Sequence, residues 1–110
     1  MDDLVKAKAW YAQVLEVAPY FDQPYYVGFA VGGFELGLVP GGKQGPGGVV
    51  AFWGVANCAD AVARLENLGA AVVEPLQDVG GGIKVATVAD LFGNFFGVIE
   101  NPHFDSKKVR

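Results

Sequence analysis

Apolar residues recur at helical spacing in two stretches of the chain, residues 4–16 and 57–68. In the first stretch one stripe collects five side chains, namely Leu4, Ala7, Tyr11, Val14 and Leu15. In the second stretch the stripe consists of Ala61, Leu65 and Leu68. Asp3 and Asn57 stand at N-cap positions, and Gly69 supplies a left-handed stop. The pattern therefore predicts two short amphipathic helices.

The remaining apolar runs predict short strands separated by glycine-rich turns. Residues 25–31 and 34–39 flank Gly32-Gly33, which is typical of a tight hairpin. Further strand-like runs follow the hairpin, at residues 49–55, 71–74, 83–88 and 95–99. Turns between the later runs are expected at Gly80-Gly81-Gly82 and at residues 90–94. Strands thus follow each of the two helices.

This order of elements indicates a duplicated unit. The two helices align without gaps at an offset of 53 residues. We expect one domain made of module one at 1–40, a linker at 41–48, module two at 49–102 and a polar tail at 103–110. At the same offset the first strand of module two corresponds to positions before Met1, so module one is expected to lack most of its opening strand. A truncated fragment, or a divergent product without a working site, is the alternative explanation.

Composition narrows the classes of function. The chain is 52% apolar and 18% charged, with a net charge of −4, so a folded protein is expected and a nucleic-acid binder is not. No apolar run approaches the roughly 20 residues needed to span a bilayer, and the start Met1-Asp2-Asp3 lacks the basic residues of a secretory signal. The single cysteine, Cys58, cannot form an internal disulfide. We expect a cytoplasmic protein without a membrane partner.

Four stretches resemble the vicinal oxygen chelate superfamily, which includes glyoxalase I, bleomycin-resistance proteins and extradiol dioxygenases. They are DDLVKAKAWYAQVL, FAVGGFELGLVP, VVAFWGVANCADAVARLENLGA and VATVADLFGNFFGVIENP. The most specific is the last, in which the turn from Asp90 to Asn94 leads into a strand ending in Ile-Glu. The resemblance implies an α+β fold, in which two tandem βαβββ modules form a cup-shaped mixed sheet. The helices would lie outside and the ligand on the concave face.

The resemblance also shows which metal ligands are missing. In metal-dependent members, side chains on the first and last strands of each module hold a divalent ion. Glu35 stands at a carboxylate position, but Val50 stands where a histidine would be and Gly97 where a glutamate would be. The fourth position precedes Met1, and the only histidine, His103, follows the last strand. Since valine and glycine have no side-chain donors, we expect no metal and no other cofactor.

Strand alternation, combined with the resemblance, selects the candidate ligand-binding residues. Trp53 is expected to lie in the core against a helix, with its neighbours facing the cup. Tyr26 is expected to face the cup or an edge, and Lys84 is not placed by the pattern. The predicted ligand-binding set is Tyr26, Glu35, Val50, Phe52, Phe95 and Gly97.

Each of three sequence features allows two interpretations of its role. Glu35, the only catalytic candidate, would suit a general base or a cation-binding group if desolvated, and is otherwise a solvated carboxylate. The segment with Tyr20, Phe21, Tyr25 and Tyr26, interrupted by Asp22, fits a cationic or planar guest, or an ordinary edge strand. Cys58 begins a helix, where it is either a small filler or a reactive thiol.

These expectations lead to two hypotheses of function. The first is a metal-free protein of the bleomycin-resistance type that binds a small organic molecule, cationic or aromatic, in an aromatic-lined cup. The second is a glyoxalase-like lyase or isomerase that uses Glu35 as base or metal ligand. The open sheet edge of module one predicts a homodimer, formed either by two complete protomers or by protomers that exchange their modules.

Overall fold

The computed structural model describes residues 1–42, 45 and 47–103. They form two compact units, which divide between Val49 and Val50. Of the expected linker at 41–48, residues 43, 44 and 46 lie outside the described residues. The expected tail lies outside them from residue 104 onward.

The first unit contains one helix and three strands. Helix α1 spans Leu4–Leu15, followed by β1 at Phe21–Gln23, β2 at Tyr26–Val31 and β3 at Phe34–Leu38. In the second unit β4 at Phe52–Gly54 precedes α2 at Cys58–Asn67, and three strands follow: β5 at Ala71–Gly80, β6 at Ile83–Ala89 and β7 at Phe95–Glu100. The predicted α+β class and the βαβββ order of module two are confirmed. Within the described part of the chain neither helix is long and apolar enough to cross a membrane.

The helix caps are those that the sequence predicts. The Asp3 carboxylate accepts a hydrogen bond of 3.0 Å from the Lys6 N–H, and the Asn57 side-chain oxygen accepts one of 2.9 Å from the Asp60 N–H. After α2, Gly69 has a φ of 100°, the left-handed stop. The predicted place of Val14 in the buried stripe is wrong, because its side chain is 52% exposed.

The sheet of the first unit has the strand order β1-β2-β3, all antiparallel. Gly32 and Gly33 both have positive φ, as a two-residue hairpin requires. Val27, Phe29 and Leu38 are buried and pack against α1. Because side chains alternate along a strand, the residues between them point away from α1 and form the open face of this sheet.

The sheet of the second unit has the order β4-β7-β6-β5. It is mixed, because β4 pairs in parallel with β7 while the other pairs are antiparallel. Cys58, Ala86 and Val98 form its buried core under α2. Strand β5 is longer than predicted and runs through Pro75. A proline is tolerated there because β5 is an edge strand, where the missing N–H leaves no partner unpaired.

Strand β4 is shorter than its predicted range, residues 49–55. It has three residues, and Val49 and Val50 precede it. Trp53 was expected in the core, but its side chain is 67% exposed, so this expectation is wrong. Trp53 does pair in register with the buried Val98. The helix α2 packs on β5, β6 and β7, however, and leaves the edge strand β4 uncovered.

Candidate ligand-binding site

A carboxylate held between two phenols is the main polar feature of the open face of the first unit. The Tyr20 hydroxyl donates a hydrogen bond of 2.6 Å to Oε1 of Glu35, and the Tyr26 hydroxyl donates to Oε2. Glu35 lies on β3 and Tyr26 on β2, while Tyr20 immediately precedes β1. Both carboxylate oxygens therefore have a tyrosine donor.

Two glycines make room for this arrangement. Gly28 and Gly37 face each other in register on β2 and β3. A Cβ at Gly37 would lie 2.7 Å from ring carbons of Tyr26. A Cβ at Gly28 would lie 3.0 Å from the Tyr20 ring and 3.1 Å from the carboxylate of Glu35. The two tyrosine rings and the Glu35 carboxylate thus lie directly against the backbone of the two glycines. A larger residue at either position would occupy the space that they fill.

Further aromatic rings lie near the two tyrosines. The Phe21 ring centroid is 6.4 Å from that of Tyr20, 6.1 Å from that of Tyr25 and 6.0 Å from that of Tyr26. The angles between ring planes are 53°, 66° and 57°, so none of the three pairs is stacked in parallel. Three of these residues are exposed, at 60% for Tyr20, 66% for Tyr25 and 36% for Phe21. We call Tyr20, Phe21, Tyr25 and Tyr26 the ring cluster.

The phenols are held in their protonated form. Burial raises the pKa of Tyr20 to about 12, and the hydrogen bond and negative charge of Glu35 add to this shift. The pKa of Tyr26 is also raised by burial first and by Glu35 second. Near neutral pH both hydroxyls are therefore donors, and neither is suited to take up or release a proton.

The neighbouring Asp22 does not belong to this group. Its carboxylate accepts from the Lys8 ammonium at 2.8 Å and thus points toward α1. The sequence placed Asp22 among the aromatic residues, but the carboxylate beside the rings is that of Glu35. Within the described part of the chain no basic side chain is found at ion-pair distance from Glu35.

The other predicted site residues lie in the second unit. Phe52 and Gly97 are register partners on β4 and β7, and a Cβ at Gly97 would lie 2.5 Å from the Phe52 ring. Phe95 is on the same face of β7, two residues from Gly97, and is 51% exposed. Val50 is half-buried and precedes β4. The structure thus brings Phe52 and Gly97 together in one unit, and Tyr26 and Glu35 in the other.

Cys58 has the features of a filler residue. Its side chain is 0% exposed. Burial raises the pKa of its thiol, and the nearby Glu100 raises it further, against a smaller opposing effect of Lys84. Glu100 also accepts a hydrogen bond of 2.9 Å from the Cys58 N–H. Lys84, which the sequence left unplaced, pairs in register with Glu100, so it lies on the α2 side of the sheet.

No metal-binding cluster is found in the described part of the chain. No three His, Cys, Asp or Glu side chains there lie close enough to share an ion. His103, the only histidine, donates from Nε2 to the carbonyl oxygen of Gly81 at 2.6 Å. Neither Val50 nor Gly97 contributes a donor atom to such a group.

Comparison with solved structures gives similarity of fold. No protein-family model matches the chain, and no curated protein sequence matches it. An NAD-dependent benzaldehyde dehydrogenase from Legionella pneumophila is 11% identical, with a TM-score of 0.65 over 90% of this chain and 91% of that one. At this identity the likeness concerns the fold and assigns no activity.

Solved structures of the superfamily that the sequence resembles are among the matches. A glyoxalase-related enzyme from Fulvimarina pelagi is 22% identical, with a TM-score of 0.46 over 93% of this chain and 83% of that one. A member of the glyoxalase/bleomycin resistance protein/dioxygenase superfamily from Sphaerobacter thermophilus is 20% identical, with a TM-score of 0.41 over 92% and 90%.

Proposed function

We propose that this chain is a metal-free small-molecule-binding protein of the glyoxalase/bleomycin-resistance type. Its ligand carries a cationic group, which binds on the open face of the first unit. The observation that supports this proposal is the carboxylate of Glu35, which is held by Tyr20 and Tyr26 and has no basic partner among the described residues. A fixed negative charge beside aromatic rings attracts an organic cation.

The same geometry favours binding over catalysis. A general base takes a proton from its substrate through a lone pair, and a hydrogen bond from a tyrosine already uses one of the two lone pairs on each oxygen of Glu35. A lyase or isomerase would also need an electrophile to stabilise developing negative charge. Val50 and Gly97, which stand at the ligand positions of metal-dependent relatives, have no side-chain donor. The enzyme therefore remains the second candidate.

A thermal-shift screen with organic cations and their neutral analogues tests the proposal. We expect cations to raise the melting temperature of the wild-type chain, and Glu35→Gln to abolish this effect. Glu74→Gln serves as the matched control, because Glu74 is an exposed residue of β5 in the other unit. If no cation stabilises the folded wild type, or if Glu35→Gln responds like the wild type, the proposal is wrong.

Metal analysis separates the two candidate functions. The purified protein is expected to contain no stoichiometric transition metal, and added metal should not raise its stability in a Glu35-dependent manner. One equivalent of nickel, zinc or iron that is lost in Glu35→Gln would favour the lyase or isomerase instead.

A further inference from the structure

We propose that the cationic group recognised at Glu35 is a quaternary ammonium, a nitrogen that carries alkyl groups and no N–H donor. This inference rests on the proposed function and names the class of ligand for the same site. It follows from three features of the first unit: the tyrosine hydrogen bonds on both carboxylate oxygens, the ring cluster, and the charge of Glu35, which no described basic side chain pairs with.

The occupied oxygens disfavour cations that bind through N–H groups. Oε1 and Oε2 of Glu35 each accept from a tyrosine hydroxyl. A primary ammonium or a guanidinium binds carboxylates through N–H donors and is accompanied by tightly held water. One acceptor site remains on each oxygen, so the further N–H donors of such a cation would face aromatic rings in place of water. A quaternary ammonium makes no such demand, because it needs charge and apolar contact alone.

The ring cluster supplies that apolar contact. Phe21 lies within 6.4 Å of three tyrosine rings, and the ring planes are inclined to one another by 53° to 66°. Inclined rings beside a carboxylate are the arrangement in which proteins hold methylated ammonium groups through cation–π attraction. Tyr20, Phe21 and Tyr25 are exposed, so a ligand reaches them without opening the core.

The charge of Glu35 has no counter-ion among the described residues. Lys8 pairs with Asp22 on the α1 side of the sheet, and no basic side chain of the described ranges pairs with Glu35. An exposed carboxylate that no described basic side chain pairs with attracts an external cation, at a strength that falls with salt.

Titration calorimetry at fixed ionic strength tests this inference with four probes: tetramethylammonium, choline, methylammonium and guanidinium. We expect the first two to bind about tenfold more tightly than the last two. A trimethyllysine peptide, added separately, distinguishes a modified protein from a free small molecule as the source of the group. Competition with choline then shows whether the two share the site.

Three variants separate recognition from structural damage. Tyr26→Phe removes the hydrogen bond to one oxygen of Glu35. It should improve methylammonium binding and so reduce the difference in affinity between tetramethylammonium and methylammonium. Tyr25→Leu removes a ring without touching the carboxylate, and should weaken tetramethylammonium alone. Tyr11→Phe removes a hydroxyl on α1 and should change the affinity for neither cation. Circular dichroism of each variant confirms that it is folded.

Two results would overturn the inference in different ways. If methylammonium or guanidinium binds at Glu35 as tightly as tetramethylammonium, the ligand class is wrong while the proposed function stands. If no cation binds the folded wild type, both fail. Equal loss of all four probes in Tyr25→Leu would also refute cation–π recognition.

Discussion

Replacing Glu35 by Gln gives the sharpest prediction about the site without any ligand. The substitution removes a negative charge and keeps the shape and an acceptor oxygen. Tyr20 and Tyr26 both owe part of their raised pKa to Glu35, through a hydrogen bond and through its charge. Both tyrosines should therefore ionise at lower pH in Glu35→Gln.

The structure limits the size of this change. The pKa of Tyr20 is raised from 10.0 to about 12, and burial is the largest cause. Burial persists in the variant, so the pKa of Tyr20 should fall part of the way and remain above 10.0. A phenol whose pKa is raised by folding stabilises the fold below its unfolded pKa, and this contribution is lost as the pH rises through the folded pKa. The wild type should thus lose stability between pH 10.0 and about 12, and the variant should lose less.

Ultraviolet absorbance of tyrosinate, followed against pH, measures this change. Subtracting the titration of Tyr20→Phe from that of the wild type isolates Tyr20, and repeating the subtraction in the Glu35→Gln background gives the shift. A titration that is the same with and without the carboxylate would show that Glu35 does not hold the two phenols. Glu66→Gln, on α2, serves as the control for a lost surface charge.

Other predictions concern packing and association. Gly37→Ala should destabilise the first unit by about 1–3 kcal/mol, because the added Cβ would overpack against Tyr26. Gly54→Ala, with nothing within 4 Å of the added Cβ, should change the stability by about 0.5 kcal/mol or less. Urea denaturation measures both changes. Phe29→Ala, at 0% exposure, should cost about 3–5 kcal/mol in the same assay. Cys58 should react with a thiol reagent only as the chain unfolds, so labelling as fast as that of the denatured chain would contradict its burial. The homodimer stays a prediction, and sedimentation that shows a monomer at micromolar concentration would contradict it.

The sequence predicts the elements whose signals are local. Asp3 and Asn57 cap their helices as expected, and Gly32-Gly33 forms the hairpin, because capping and turn formation depend on a few adjacent residues. The sequence predicts the burial of Trp53 on strand β4 incorrectly. The alternation that pairs Trp53 with Val98 is correct. Whether α2 covers that face of β4 depends on tertiary packing, about which strand periodicity carries no information.

The site is predicted in part for the same reason. Alternation places Glu35 and Tyr26 away from α1, and the structure brings them together. The sequence predicts for Tyr20 only that it belongs to an aromatic segment, because strand alternation does not extend to a residue before β1. The role of Gly28 and Gly37 depends on their being opposite each other in register. That pairing follows from the two-residue turn at Gly32-Gly33, so this turn is the signal from which the sequence could have located the two glycines.

A crystal structure of the chain with bound tetramethylammonium is the most direct test of cation recognition at Glu35. We predict that the cation lies beside the Glu35 carboxylate, within about 6 Å of ring centroids of the ring cluster, with both tyrosine hydroxyls still bonded to the carboxylate. A cation bound elsewhere with Glu35 unoccupied, or a metal ion coordinated by Glu35 in its place, would contradict the proposed function.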